Sequence, residues 1–353
     1  MTTADAAPGA DATEEGEPRR RGVGLAWLAV VCLVAIAVCA LTQLTRGEPS
    51  LSIAEMIDAA QRSGDDTASF LVRELRAPRL IAGVVVGAAL GAAGVLLQDS
   101  LRNPLADPSL LGVAQGASFA IAVVAFYPEI APPLPTPVLA LVSGTATGLL
   151  VVLVAGRVRA PIRLLLSGAV AAAFFGTITT VIILLAPVER QASIAGYQRV
   201  VTGSLSTMDW DTVWRIAPWS LPAIPIMVVS GRVLNVLKLG DDVAVTMGLD
   251  PGRARVVLML MAMALVAPAY AYVGPVAFVA LLSPHIARGA LRSSDARPVL
   301  VGAACVGAAQ LVAADALGRL LLFPTEIPAG IWTIAIAAAP AMWFVGRIRR
   351  AVR

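Results

Sequence analysis

The chain has 353 residues, of which 58% are hydrophobic and 14% charged, with a formal net charge of +4. An ordinary soluble domain carries roughly 25% charged residues, so water is the wrong solvent and a large soluble domain is excluded. Apolar runs of the roughly 20 residues needed to cross a hydrocarbon core recur from residue 23 almost to the end, without the two-residue alternation of a barrel strand. These runs predict an all-α integral membrane protein whose first partner is the lipid bilayer; nothing in the composition implies a nucleic-acid partner.

In chain order, residues 1–21 read as a disordered tail, acidic and Ala/Gly-rich through Glu17 and then Pro18-Arg19-Arg20-Arg21, without a small-residue cleavage site. Residues 22–350 read as one transmembrane domain. The hydropathy pattern predicts ten helices, at 23–43, 79–98, 110–127, 136–156, 162–186, 213–235, 254–273, 275–291, 298–322 and 329–346. An even number puts both termini on one side. With the N-terminus inside, two thirds of the arginine and lysine residues fall on the cytoplasmic side. That bias predicts cytoplasmic termini in a plasma membrane, and the Ala/Arg-rich composition points to a high-GC bacterium.

Between the predicted spans, Leu51 to Arg73 reads as an amphipathic helix on the outer surface, and Gln191 to Gly203 is polar enough to line a cavity. Gly83, Gly87 and Gly91 recur every four residues, the small-residue stripe that lets helix backbones approach closely.

The reactive side chains are few. Cys32, Cys39 and Cys305 sit in apolar runs without Cys-x-x-Cys spacing, so neither a disulfide framework nor a zinc site is expected. The single histidine, His285, cannot supply a metal relay and reads as structural after Pro284. The sole lysine, Lys238, stands between Leu237 and Leu239, so the chain has no Gly-Lys-Ser/Thr phosphate loop and no ATP site of its own. No cluster of nucleophile, base or metal ligands marks it as an enzyme, and no bound cofactor is expected.

Three positions invite a reading beyond packing. Arg76, Arg79 and Arg319 fall on the outer side against the charge rule, as exposed or headgroup-paired charges or as guanidiniums for a partner's carboxylates. Asp315 lies deep in an apolar run and requires a partner, expected among nearby hydroxyls, amides or Arg319 one turn later. Asp241 to Asp250 forms a short polar helix between spans, with Asp241 and Asp242 at the dipole-favoured end.

Two segments resemble the iron-siderophore, haem and cobalamin permease family of ABC importers. The first runs from Arg76-Ala77-Pro78-Arg79 through Arg102-Asn103-Pro104-Leu105-Ala106-Asp107-Pro108 to Gly116-Ala117. The second runs from Gly274-Pro275-Val276 through Ser283-Pro284-His285 and Ala314-Asp315-Ala316-Leu317-Gly318-Arg319 to Glu326-Ile327-Pro328-Ala329-Gly330. Between them, Leu239-Gly240-Asp241-Asp242-Val243-Ala244 with Met247-Gly248-Leu249 resembles the family's cytoplasmic coupling segment. Two departures stand out: Val200 and Val201 precede Thr202-Gly203-Ser204-Leu205 where the family usually has a tryptophan, and Ala338-Ala339-Pro340 replaces a Gly-Ala-Pro.

The resemblance implies a ten-helix type II importer permease that moves a metal chelate inward by alternating access, with a ferric siderophore the commonest cargo and haem or cobalamin the alternatives. It implies three kinds of partner. These are a second permease subunit, identical or paralogous, two ATP-binding cassette ATPases that carry the ATP and Mg, and an extracytoplasmic substrate-binding protein. By the same resemblance Arg76, Arg79 and Arg319 dock the binding protein, and Asp241, Asp242, Ala244, Met247, Gly248 and Leu249 engage the ATPases. Asn103 and Leu105, with Glu189 and Gln191 by looser alignment, border the pathway and its gates. The alternative from another class, an ion-gradient-driven secondary transporter, would need intramembrane acids, for which Asp99 and Asp315 are the candidates.

Overall fold

The computed structural model describes residues 24–46, 50–61, 67–109, 111–155, 161–190, 194, 197, 202–220, 223–322 and 325–337. The described residues are helical, with no strand among them. In chain order the helices are α1 (Leu25–Thr45), α2 (Ile53–Gln61), α3 (Thr67–Phe70), α4 (Ala77–Ser100), α5 (Val113–Phe126), α6 (Thr136–Ala155) and α7 (Pro161–Leu184). They continue as α8 (Trp210–Ser220), α9 (Ala223–Lys238), α10 (Asp241–Thr246), α11 (Pro251–Val273), α12 (Val279–Leu291) and α13 (Ala296–Leu320). A last helix, α14, is described over 329–337. The expected disordered tail and the C-terminal half of the expected last span lie outside the described residues.

Among the described residues six helices are long and apolar enough to cross a membrane: Leu25–Thr45, Thr67–Ser100, Thr136–Val154, Leu166–Leu184, Pro251–Val273 and Ala296–Leu320. The bent pair Trp210–Met227 and Val229–Lys238, if taken as one span, makes a seventh. Three of the ten expected helices therefore differ in form. The expected 213–235 span is instead bent by 54° between Trp210–Met227 and Val229–Lys238, just after Pro225, which lacks the amide donor a continuous helix would use. The expected 110–127 and 275–291 spans are short helices of 14 and 13 residues. At 1.5 Å per residue each covers about 20 Å, less than the hydrocarbon thickness. Each follows non-helical residues, 101–109 and 111–112 before one and 274–278 before the other, and each is entered through a left-handed residue, Gly112 at φ 74° or Phe278 at φ 67°.

Helix α4 is the central post. It is apolar all round, and every residue from Ala89 to Ser100 is buried, the pattern of a helix enclosed by others. It packs against α13, α11, α12, α9 and α8. Lipid tails are as apolar as leucine, so close backbone contact and polar bonds hold such a bundle rather than solvent exclusion. The glycine stripe supplies the contact. A Cβ on Gly87 would sit 2.4 Å from the Gly307 carbonyl oxygen, one on Gly91 2.0 Å from that of Ala303, and one on Gly307 2.2 Å from that of Gly87. Gly94 meets α12 the same way, 1.9 Å from the Ala280 oxygen. Helices α1 and α7 lie outside this core, with Leu33, Val38, Leu166, Val170 and Leu184 exposed to what a membrane would fill with lipid.

The expected surface helix is present as α2, opened by a capping box: the Ser52 amide donates to Glu55 at 2.7 Å, and the Glu55 amide to Ser52 Oγ at 3.2 Å. The chain after α3 does not leave the surface as one amphipathic helix. It winds through a π-helical turn, Leu71–Arg76, directly into α4. Of the expected cavity-lining stretch, Tyr197 is buried against Phe126, ring edge to ring face at 5.7 Å.

Candidate functional site: two charged ends of one bundle

Arg79 and Asp99 lie near opposite ends of α4, about 30 Å apart by helical rise. Each end carries a cluster of ion pairs that joins several helices.

At the Arg79 end, the guanidinium of Arg79 forks onto Asp315 of α13, Nε to Oδ2 at 2.8 Å and Nη2 to Oδ1 at 2.9 Å. Its third nitrogen, Nη1, donates to Glu326 at 2.9 Å. In place of the partners expected for Asp315, a nearby hydroxyl, an amide or Arg319, the structure gives an arginine from another helix. Arg319 turns instead to the Gln43 carbonyl at 3.0 Å and stands 3.6 Å from Glu326. Arg76 donates to the Leu44 carbonyl. Arg76 and Arg319 therefore satisfy carbonyls at the C-terminus of α1, where the helix dipole favours a cation. Arg73 does the same for α2 through the carbonyls of Ala59 and Ala60. This accounts for the arginines that broke the charge rule. The side chains of Arg79 and Arg319 are about nine-tenths covered, whereas Glu326 keeps 38% of its side chain exposed. The three arginines expected to stand free for docking are engaged inside the chain.

At the Asp99 end, two carboxylates are each held by two cations. Asp99 takes Arg288 of α12 at 2.9 Å and Lys238 of α9 at 2.7 Å. Arg288 also donates to Gln98 at 2.7 Å, whose amide reaches the Leu281 carbonyl at 3.0 Å. Asp241 takes Arg102 at 2.7 Å and Arg255 of α11 at 2.5 Å. Beside them Asn235 donates to Asp295 at 2.7 Å and accepts from the Ala296 amide at 2.8 Å. Asn235, with the Arg297 amide, holds the Asp295 carboxyl below the usual carboxylate range.

Helix α10 is closed by a Schellman turn. The Leu249 amide bonds the Ala244 carbonyl at 2.9 Å, the Gly248 amide bonds that of Val245 at 2.9 Å, and Gly248 takes φ 78°. The next residue, Asp250, caps α11 by accepting from the amides of Gly252 and Arg253, with Pro251 in the first turn. Gly248-Leu249-Asp250-Pro251 thus ends one helix and begins the next within four residues. Ala244 is buried, while Asp242, Leu239, Val243, Val245 and Met247 are exposed, an apolar tip at a charged end.

Of the expected gate residues, Asn103 is buried, and its Oδ1 accepts from the Leu105 amide at 3.0 Å. Leu105 is 48% exposed. Glu189 lies exposed in a 3₁₀ turn, Val188–Arg190, and Gln191 lies outside the described residues. His285 bonds the Leu281 carbonyl at 2.8 Å. Among the described residues no group of three or more histidine, cysteine or acidic side chains is placed to hold a metal ion. The signals that sequence reasoning missed are Arg102, Arg255 and Arg288: each read as an ordinary positive-inside charge.

A multi-pass helical membrane protein with small-residue packing and charged ends is the class that this fold defines. Residues 33–347 match the model of the FecCD transport family, and the chain belongs to that family. Among relatives, the Fe(3+)-citrate import system permease protein YfmE of Bacillus subtilis is 33% identical over 314 residues, covering 88% of this chain and 92% of its own length. The ferric enterobactin transport system permease protein FepG of Escherichia coli is 33% identical, with 88% and 93% covered. The hemin transport system permease protein HmuU of Yersinia pestis is 30% identical, with 90% and 94% covered. A solved chain described as an inward-facing conformation of a metal-chelate type ABC transporter shares the fold, with a TM-score of 0.76 over 91% of this chain and 99% of that one at 24% identity.

Proposed function

We propose that this chain is the membrane-spanning permease of an ATP-driven importer that carries a ferric chelate, foremost a ferric siderophore or ferric citrate, into the cytoplasm. The observation that carries the reading is family membership over nearly the whole chain, among relatives named for iron-citrate, enterobactin and hemin transport. Haem is the second cargo, on the strength of the Yersinia relative alone.

A second permease subunit completes the pathway in this reading; the paired Escherichia coli relatives FecC and FecD, 34% and 32% identical, support it. Two ATPase subunits supply ATP and Mg, since this chain carries no phosphate loop. They would seat α10, whose exposed Val243, Val245 and Met247 make little sense facing water. That assignment makes the Asp99 end cytoplasmic, with both termini, and the Arg79 end extracytoplasmic. A substrate-binding protein would dock at the Arg79 end. Its carboxylates would compete with Glu326, the more exposed internal acid, for Arg79 and Arg319, while Arg76 holds α1 in place. Asn103 and Leu105 would border the cytoplasmic gate, and Glu189 and Gln191 the outer one.

The ion-gradient alternative is disfavoured by one feature. Asp99 and Asp315, the acids such a transporter would titrate, are each clamped by two cations or by a forked arginine.

The test is uptake of labelled ferric siderophore, ferric citrate, haem and cobalamin, each competed against the others, in a strain deleted for this gene and complemented by it. Restored uptake of a ferric chelate supports the reading; restoration of none of the four overturns it.

A further inference from the structure

We propose that Asp241 and Arg102 form the mechanical joint through which movement of α10 reaches the spans, with Asp99 and Arg288 as its continuation. This rests on the coupling role assigned to α10 above and identifies the residues that perform it inside the chain.

Helix α10 has six residues between two glycines in left-handed or unusual conformations, Gly240 at φ 125° and Gly248 at φ 78°. A Cβ at either position would meet nothing within 4 Å. Packing at these flanks is therefore open, and a push on α10 would bend its ends before moving a span. The polar bonds are what make it stiff. Asp241 is shared by Arg102, which follows α4, and Arg255, on α11. Arg102 also donates to the Leu237 carbonyl at 2.8 Å, and Arg255 to the Ser100 carbonyl at 3.0 Å. One carboxylate thus ties α10 to the ends of α4, α9 and α11.

The backbone at Arg102 is the second observation. Helix α4 closes with the bonds of a Schellman turn, the Asn103 amide to the Gln98 carbonyl at 3.0 Å and the Arg102 amide to that of Asp99 at 3.4 Å. The left-handed position of such a turn favours glycine, as at Gly248, yet here it holds Arg102 at φ 47°. A strained conformation persists where its side chain has work that glycine could not do. The same turn delivers Gln98 and Asp99 to Arg288, so the linkage continues into α12, the short helix that begins against Gly94.

Asp241 and Arg102 are positioning residues, since neither has to touch cargo or nucleotide. Purified transporter with its partner subunits would be compared as wild type, Asp241→Asn, Asp241→Glu and Arg102→Gly. The readouts are ATP hydrolysis, cargo moved per ATP, and the ATP-induced change in hydrogen exchange of the α4 end and α12. Arg102→Gly relieves the backbone while deleting the clamp, so a merely structural role predicts an unchanged or more stable protein. The joint predicts at least a tenfold loss of cargo moved per ATP and at least a threefold smaller exchange response in Asp241→Asn and Arg102→Gly, with partial rescue in Asp241→Glu. A wild-type ratio and exchange response in either deletion variant overturns the proposal, and so does failure of both variants to assemble, which would make the pair a folding element. Wild-type transporter that hydrolyses ATP and shows the exchange response but moves no cargo contradicts the importer reading alone.

Discussion

Arg79 and Asp315 are 236 residues apart in sequence and form a forked, two-bond ion pair that joins α4 to α13 at one end of the bundle. The pair sits where the glycine stripe ends, so the two helices are held by backbone contact along their length and by charge at the tip. Removing Arg79 leaves the Asp315 carboxylate buried without its forked partner, which costs about 3–5 kcal/mol, whereas replacing both with apolar residues of similar volume can be nearly neutral; Asp315→Leu is milder, because Arg79 keeps Glu326. Arg79→Leu should therefore lower the melting temperature of the purified chain in detergent far more than Arg79→Leu/Asp315→Leu. Equal losses in the single and double variants would show that the pair is not coupled.

The glycine contacts predict a sharp contrast. Gly87→Val drives side-chain atoms into the α13 backbone, for which nothing flexible can yield, and overpacking of this kind costs about 1–3 kcal/mol or more. Gly176→Ala, in α7 with nothing within 4 Å of the added carbon, should be neutral or stabilise by about 0.5–1 kcal/mol. Melting curves of the two variants side by side give the comparison, and a tolerated Gly87→Val would mean that α4 and α13 are farther apart than described.

The turn at Gly248 sets a third expectation. Gly248→Ala forces a side chain into a left-handed position and should cost roughly 1–2 kcal/mol, while Gly248→Asn, which tolerates that conformation better, should cost less. Amide exchange at Leu249 and Gly248 reports it directly: both amides should exchange faster in the alanine variant, and protection equal to wild type would remove the Schellman turn from the account.

Asp295 caps α13 and is bonded by Asn235, whose amide, with that of Arg297, depresses its carboxyl. For a depressed carboxylate, the stabilising contribution is complete above the ordinary value near 3.9 and is lost as pH falls through the lowered folded value. The stability gap between wild type and Asp295→Ala should thus be constant from pH 8 to about pH 5, on the order of 1 kcal/mol, and should shrink only below about pH 4. Paired melts across that range test it. A gap that closes between pH 8 and pH 6 would contradict the carboxylate's role.

Much of this was legible because lipid leaves a strong signature. Long apolar runs located α1, α4, α6, α7, α11 and α13, and the four-residue glycine spacing located the faces of α4 that touch its neighbours. What could not be read is non-local. Asp315 announced that it needed a partner, yet helical spacing offers Arg319 first, and nothing along the chain points to Arg79. Likewise Arg102, Arg255 and Arg288 look like ordinary membrane-flanking charges until folding brings Asp241 and Asp99 between them. The short α5 and α12 read as longer spans because the residues just before them, Leu111-Gly112 and Pro275 to Phe278, carry no charge and yet are non-helical.

The central claim is that ATP hydrolysed by partner subunits drives a ferric chelate inward through this chain. Its most direct test is uptake of radioiron chelate into proteoliposomes that hold the purified permease, its ATPase and its binding protein. The account predicts accumulation that requires ATP and Mg inside the compartment equivalent to cytoplasm and survives collapse of ion gradients. Accumulation that proceeds without ATP and stops when a proton or sodium gradient is dissipated would contradict it.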